Sequence, residues 1–126
     1  MPTVDLNKDN LASTINDNPF VIIDFWAPWC GPCQSFKPVF EATAEKHPDI
    51  VFAKVNTEDQ QEIASHFQIR SIPTLMVFRE QIVLYAESGA LPQSSFEKLV
   101  EDARAVDMAD VHKAIEEEEN KEQPSA

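Results

Sequence analysis

Phe20-Val21-Ile22-Ile23-Asp24-Phe25-Trp26-Ala27-Pro28-Trp29-Cys30-Gly31-Pro32-Cys33 is the stretch on which the reading of this chain turns. Apart from Asp24, its first seven residues are β-branched or aromatic. A run of that length and composition reads as a buried strand rather than a helix. After Cys33, the segment Gln34–His47 places Phe36, Val39, Phe40 and Thr43 at helical spacing. The chain has 2 cysteines, and both fall between the end of that strand and the first turn of that helix.

This placement has chemical consequences. The first turn of a helix leaves backbone N–H groups unpaired and carries roughly half a positive charge. A thiolate at the junction is stabilised there, so Cys30 is expected to have a lowered pKa and to be the attacking sulfur. Cys33, one turn further in, can close a short disulfide and act as the resolving thiol. Pro32 suits the first helical turn, where its missing N–H costs nothing, and Gly31 lets the backbone turn tightly beside the sulfurs. A zinc site would need four ligands, but there is no second cysteine pair and His47, His66 and His112 are scattered along the chain. A purely structural disulfide closing so short a loop would stabilise the fold little.

The chain around this motif has 126 residues, 43% hydrophobic and 25% charged, which fits one soluble domain with a proper core. The first ten residues contain no apolar h-region, so no signal peptide is expected, and no stretch is apolar enough for a transmembrane span. A cytoplasmic setting follows as the expectation, and there a Cys-x-x-Cys is more often catalytic than structural. A net charge of −12 argues against nucleic-acid partners, and 2 glycines leave no room for a Gly-rich phosphate loop.

Along the chain, Thr3–Leu6 reads as a short edge strand and Asn7 as the N-cap of a helix through about Ile15. Asn16-Asp17-Asn18-Pro19 is turn chemistry. Pro38 is expected to kink the helix that follows the cysteines. Ile50–Asn56 reads as the next strand, and Thr57 as the cap of a helix containing Ile63, Ala64 and Phe67. Thr74–Phe78 and Ile82–Ala86, separated by a short break, read as an antiparallel hairpin. A last helix with Phe96, Leu99, Val100 and Ala103 on one face follows Leu91-Pro92. Strand–helix alternation ending in a hairpin implies an α/β fold with a mixed sheet.

Three blocks carry a family resemblance. Asp24–Cys33 resembles the active-site segment of the thioredoxin family, Ile69-Arg70-Ser71-Ile72-Pro73-Thr74 its second signature, and Ser88-Gly89-Ala90 its third. They occur in the family's order over about residues 3–104. The resemblance implies a thioredoxin fold, a central mixed β-sheet flanked by helices, and reduction of protein disulfides through Cys30 and Cys33. It implies that the buried Asp24 accepts the proton of Cys33, that Lys54 lies near this acid, and that the Ile72–Pro73 bond is cis. Trp29, Ile72, Pro73, Gly89 and Ala90 would then form an apolar client-binding patch around Cys30, with Trp26 as a packing residue. No bound cofactor is implied. The partners implied are disulfide-containing client proteins and an NADPH-linked flavoprotein of the thioredoxin-reductase type. The same residues would serve a thioredoxin-fold oxidant or isomerase, and the patch could also serve a redox-independent binding module.

The chain departs from the family pattern in three places. The hairpin break Arg79-Glu80-Gln81 lacks glycine, and Gln34 stands where relatives often have lysine. Residues 105–126 form an acidic extension beyond the domain expected over residues 1–104. It holds seven acids and two lysines. Asp107 can cap a short helix in which Met108, Val111 and Ile115 share a face. Glu116–Glu119 and the final Gln123-Pro124-Ser125-Ala126 then read as a solvated, frayed tail, with a docking helix as the alternative.

Overall fold

β2 (Phe20–Trp26) is the middle strand of a five-stranded sheet. Val21, Ile22, Ile23 and Phe25 have no exposed surface, so its hydrophobicity on both faces follows from its place. The computed structural model describes residues 2–122. β3 (Val51–Asn56) pairs with β2 in parallel, and β1 (Thr3–Asp5) pairs in parallel with β3 at the edge. On the other side, β4 (Thr74–Arg79) and β5 (Ile82–Ser88) are antiparallel, giving the order β1-β3-β2-β4-β5. The mixed sheet flanked by helices is the thioredoxin fold that the sequence implied.

Alternation along the strands sends successive side chains to opposite faces. Phe20, Ile22, Phe52, Leu75 and Val77 meet Phe36 and Phe40 of α2 (Gly31–Lys46) and Phe96 and Val100 of α4 (Gln93–Ala105). The other face is covered by Ile63 of α3 (Gln61–His66) and by Leu11 and Ile15 of α1 (Leu11–Asp17). α2 runs unbroken through Pro38.

Two helix starts differ from expectation. Asn7 does not cap α1. Its side chain accepts from the N–H groups of Asp9 (2.8 Å) and Asn10 (3.1 Å), a local Asx turn that delays the helix. Thr57 does not cap α3. Its N–H and Oγ1 both donate to Trp26 O, at 2.8 and 3.0 Å, which ties the end of β2 to the segment after β3.

The hairpin break is a two-residue turn. Glu80 (φ 52) and Gln81 (φ 70) both occupy the left-handed region, as a type I′ turn demands, although neither is glycine. Val77 pairs with Tyr85 and Phe78 with Val83, so β5 accommodates Leu84 as a bulge.

The extension forms α5 (Met108–Glu122), longer than the short helix expected. Asp107 Oδ1 caps it, accepting from Ala109 N (3.0 Å) and Asp110 N (3.3 Å). Met108 is buried and Val111 half-buried, whereas side chains 112–121 are exposed. Glutamate is a good helix former, and an exposed helix lets Glu116–Glu119 all reach water, so the acidic run stays helical. The expected fraying of residues 123–126 lies outside the described residues.

Candidate redox-active site

The site begins where β2 stops. Ala27–Cys30 is a turn closed by Cys30 N–H donating to Ala27 O at 3.2 Å. Cys30 is the N-cap of α2 in extended backbone (φ −87°, ψ 112°), and its sulfur accepts from Cys33 N at 3.2 Å. Gly31 and Pro32 open the helix, and Cys33 follows. The two cysteines form a disulfide, with Cα atoms 5.2 Å apart. Only 5% of Cys30 and 3% of Cys33 is exposed. A sulfur at an N-cap faces the unpaired N–H groups and positive end of the helix, the setting that favours a thiolate.

Two distant segments close on this loop. The Ile72–Pro73 bond is cis, and Ile72 O lies 3.8 Å from Cys30 Sγ. Gly89 N donates to Pro73 O at 2.8 Å, with Gly89 at φ 119, a value that side chains rarely adopt. Residues from three separate parts of the chain are thus brought together at the disulfide. Trp29 is 71% exposed, Ile72 half-buried, Pro73 buried, and Gly89 and Ala90 exposed. A groove of about 180 Å³ beside Cys30 is lined by Trp29, Thr57, Ile69, Arg70, Ser71 and Ile72. Pro73, Gly89 and Ala90 do not line it. Thr57, read in the sequence as a helix cap, was not expected to line it, and neither were Arg70 and Ser71. For the last two the only signal was their position within the block that carries Ile72-Pro73.

Asp24 is 1% exposed, and neither carboxylate oxygen has a hydrogen-bond partner in the protein. Burial pushes its pKa up from 3.8 to about 7, and the nearby Lys54 charge offsets part of that rise. Lys54 is its register partner on β3. By strand alternation both project from the face that α2 covers. Lys54 is also buried, and its Nζ sits 4.7 Å from the Trp26 ring centroid. Trp26 and Ile72 both pack against the buried cluster of Ala27, Cys30 and Cys33, so Trp26 supports the loop.

Among the described residues, no group of three or more His, Cys, Asp or Glu side chains is arranged to hold a metal ion. Nor, among these residues, is any helix long and apolar enough to cross a membrane.

The thioredoxin family profile matches residues 2–102. A Streptomyces coelicolor protein bearing a thioredoxin description is 52% identical over 117 residues, 93% of this chain and 87% of its own. A match of that length in 126 residues necessarily runs past residue 105 into α5. Among solved structures, a point-mutant thioredoxin of Halobacterium salinarum superposes with a TM-score of 0.74. It is 32% identical, over 79% of this chain and 88% of that one. Mitochondrial thioredoxin 3 of Saccharomyces cerevisiae in its oxidised form gives a TM-score of 0.73 and 27% identity, over 79% and 94%. With a Cys-x-x-Cys pair set for dithiol–disulfide exchange, this chain belongs to the thioredoxin family and is a thiol–disulfide oxidoreductase, a disulfide reductase of the thioredoxin kind.

Proposed function

We propose that the reduced form acts on protein disulfides in the cytoplasm in two steps. The Cys30 thiolate attacks one sulfur of a client disulfide, forming a Cys30–client bond while the other client sulfur leaves as thiolate. Cys33 then loses its proton to Asp24 and attacks Cys30 Sγ. That restores the Cys30–Cys33 disulfide and releases the second client sulfur as a thiolate, so two electrons pass to the client; one client proton is the Cys33 proton given up by Asp24 and the other comes from water. Lys54 tunes Asp24 through its charge. Gly31 and Pro32 shape the loop between the sulfurs. Trp29, Ile72, Pro73, Gly89 and Ala90 receive an extended client segment. Recharging the oxidised pair falls to an NADPH-linked flavoprotein reductase, so no cofactor resides in this chain. Residues 1–104 form the catalytic domain in this reading, and residues 105–126 an appended acidic segment.

The observation that carries the reading is the placement of Cys30 at the N-cap of α2, with Cys33 N–H directed at its sulfur. Single-cysteine variants test it. Cys33→Ser should accumulate a mixed disulfide between Cys30 and a protein client, and Cys30→Ser should form none. Equal trapping by both variants would overturn the order of attack. The potential of the couple, measured by equilibration against a defined dithiol buffer, fixes the direction. A value near about −270 mV, thioredoxin's, supports a reductant, and a markedly more oxidising one supports an oxidant or isomerase.

A further inference from the structure

Gln34 bridges the loop that presents Trp29. Its backbone N–H donates to Cys30 O at 3.1 Å, and its side-chain Nε2 reaches back to donate to Pro28 O at 3.1 Å. The Pro28 carbonyl belongs to the central peptide of the turn that Cys30 N–H closes onto Ala27 O. Pro28 and Trp29 are its two central residues, and Trp29 is not among the residues with positive φ. A hydrogen-bonded turn with proline second and a negative φ third is type I. In the type II alternative the central peptide is turned over. Its carbonyl would then point the other way, and Trp29 would enter the left-handed region. A donor fixed on α2 and bonded to Pro28 O therefore sets the plane of the Pro28–Trp29 peptide, and with it where Trp29 begins.

That orientation bears on the reaction. Trp29 lines the groove beside Cys30 together with Ile72, yet 71% of it is exposed, so little packing holds it. Trp26, just below, is braced by packing and by Lys54 over its ring. Trp29 has the Gln34 bridge. A wall already ordered before a client arrives spares the complex the cost of ordering it.

We infer that Gln34 is a positioning residue for client binding: its side-chain amide pins the Pro28 carbonyl, and so pre-orders Trp29 as one wall of the client groove. The inference rests on the reading of Trp29 as part of that groove. It requires a hydrogen-bond donor at position 34 and does not require a charge. Lysine at this place, with an ammonium able to reach the same carbonyl, would meet the requirement.

The test follows a single turnover of the full-length reduced protein against excess insulin as protein client, or a small aromatic disulfide as reference substrate, with KM and kcat read as the half-saturating concentration and the limiting rate. Gln34→Ala should raise KM for insulin about threefold to tenfold, the range set by losing one neutral hydrogen bond. Its kcat should change less than twofold. The insulin-to-small-disulfide ratio of kcat/KM should fall by a similar factor. Gln34→Lys should return that ratio to within about twofold of wild type. The Trp29 amide should acquire microsecond–millisecond exchange broadening in Gln34→Ala. A change of melting temperature with no change of KM or of Trp29 exchange overturns the inference, because that is what a merely structural bond would give. Trp29→Ala separates the two layers. If it raises KM for insulin while Gln34→Ala does not, the groove stands and the bridge falls. If Trp29→Ala leaves the KM for insulin unaltered, the groove reading falls, and the role of Gln34 with it.

Discussion

Glu80 holds a left-handed backbone at φ 52 while its carboxylate accepts from His112 Nε2 at 2.9 Å, so one of the two left-handed residues of the hairpin turn also contacts the C-terminal helix. Glycine would fit this backbone with less strain but could not reach His112. Glu80→Gly should therefore gain up to about 1 kcal/mol of body stability in a chain ending at Arg104. In the full chain it should also lower hydrogen-exchange protection of α5. Unaltered protection would show that Met108 alone seats the helix. Should removal of residues 105–126 change neither melting temperature nor oligomeric mass, α5 is a solvated tail.

Asp24 makes stability depend on pH in an unusual direction for a carboxyl group. Its folded pKa of about 7 lies above the ordinary 3.8, so between those values the folded state binds the extra proton. Its contribution is complete below about pH 4, declines as pH rises towards 7, and above 7 leaves a penalty of roughly 4 kcal/mol. Asp24→Asn, which cannot ionise, should gain roughly 4 kcal/mol over wild type at pH 8 but only about 1.5 kcal/mol at pH 5. Thermal unfolding at the two pH values measures this. Equal gains at both would mean that ionisation is not the cause. If Asp24 accepts the Cys33 proton, the same variant should also slow release from the mixed disulfide.

Phe96 has no exposed surface and packs against three aromatic rings, with centroids 5.3 Å from Phe36, 5.7 Å from Phe40 and 6.2 Å from Phe52. Truncating it leaves a cavity between α4 and the sheet. Phe96→Ala should cost about 3–5 kcal/mol in urea unfolding. A loss below about 1 kcal/mol would mean that the helix collapses onto the gap.

Arg79 terminates α4 from a distance. Its Nη1 donates to Ala103 O (2.9 Å), Arg104 O (3.2 Å) and Val106 O (3.3 Å), carbonyls at and just past the end of α4, where Val106 N–H, at 3.4 Å, is the only backbone donor to Ala103 O among the described residues. The guanidinium also lies 5.3 Å from the Phe20 ring centroid. Arg79→Met retains much of the apolar stem and removes the donors. It should cost about 1.5–3 kcal/mol by denaturant titration, with fraying of α4 towards Val106. An unchanged midpoint would assign those carbonyls to water.

Much of the site was legible because its signals are local. A β-branched run ending at Trp26, two cysteines at one-turn spacing and a proline in the first helical turn all act through neighbours in sequence. Asp24 is legible for a similar reason, since an acid inside a fully apolar strand must pay for its burial wherever the strand lies. Asn7 and Thr57 show the limit of such reasoning. Each has the side chain of a cap, but an oxygen that can cap a helix can equally close a turn or tie two strands, and the nearest backbone partner decides. Arg79 gave no local sign of its role, because the carbonyls it serves lie more than twenty residues further on.

By itself, the sequence determined the central strand, the helix after it and the dithiol at their junction. Those features follow from hydrophobic period, turn chemistry and short-range geometry. Tertiary structure alone decided what faces the sulfurs. Ile72 O comes to 3.8 Å of Cys30 and Gly89 bonds to Pro73 only because β4 and β5 pair alongside β2 in one register. It also decided that Glu80, in the hairpin turn, meets His112, on a helix that begins 28 residues later. Contacts of that kind depend on how the whole chain closes, and no window of sequence contains both partners.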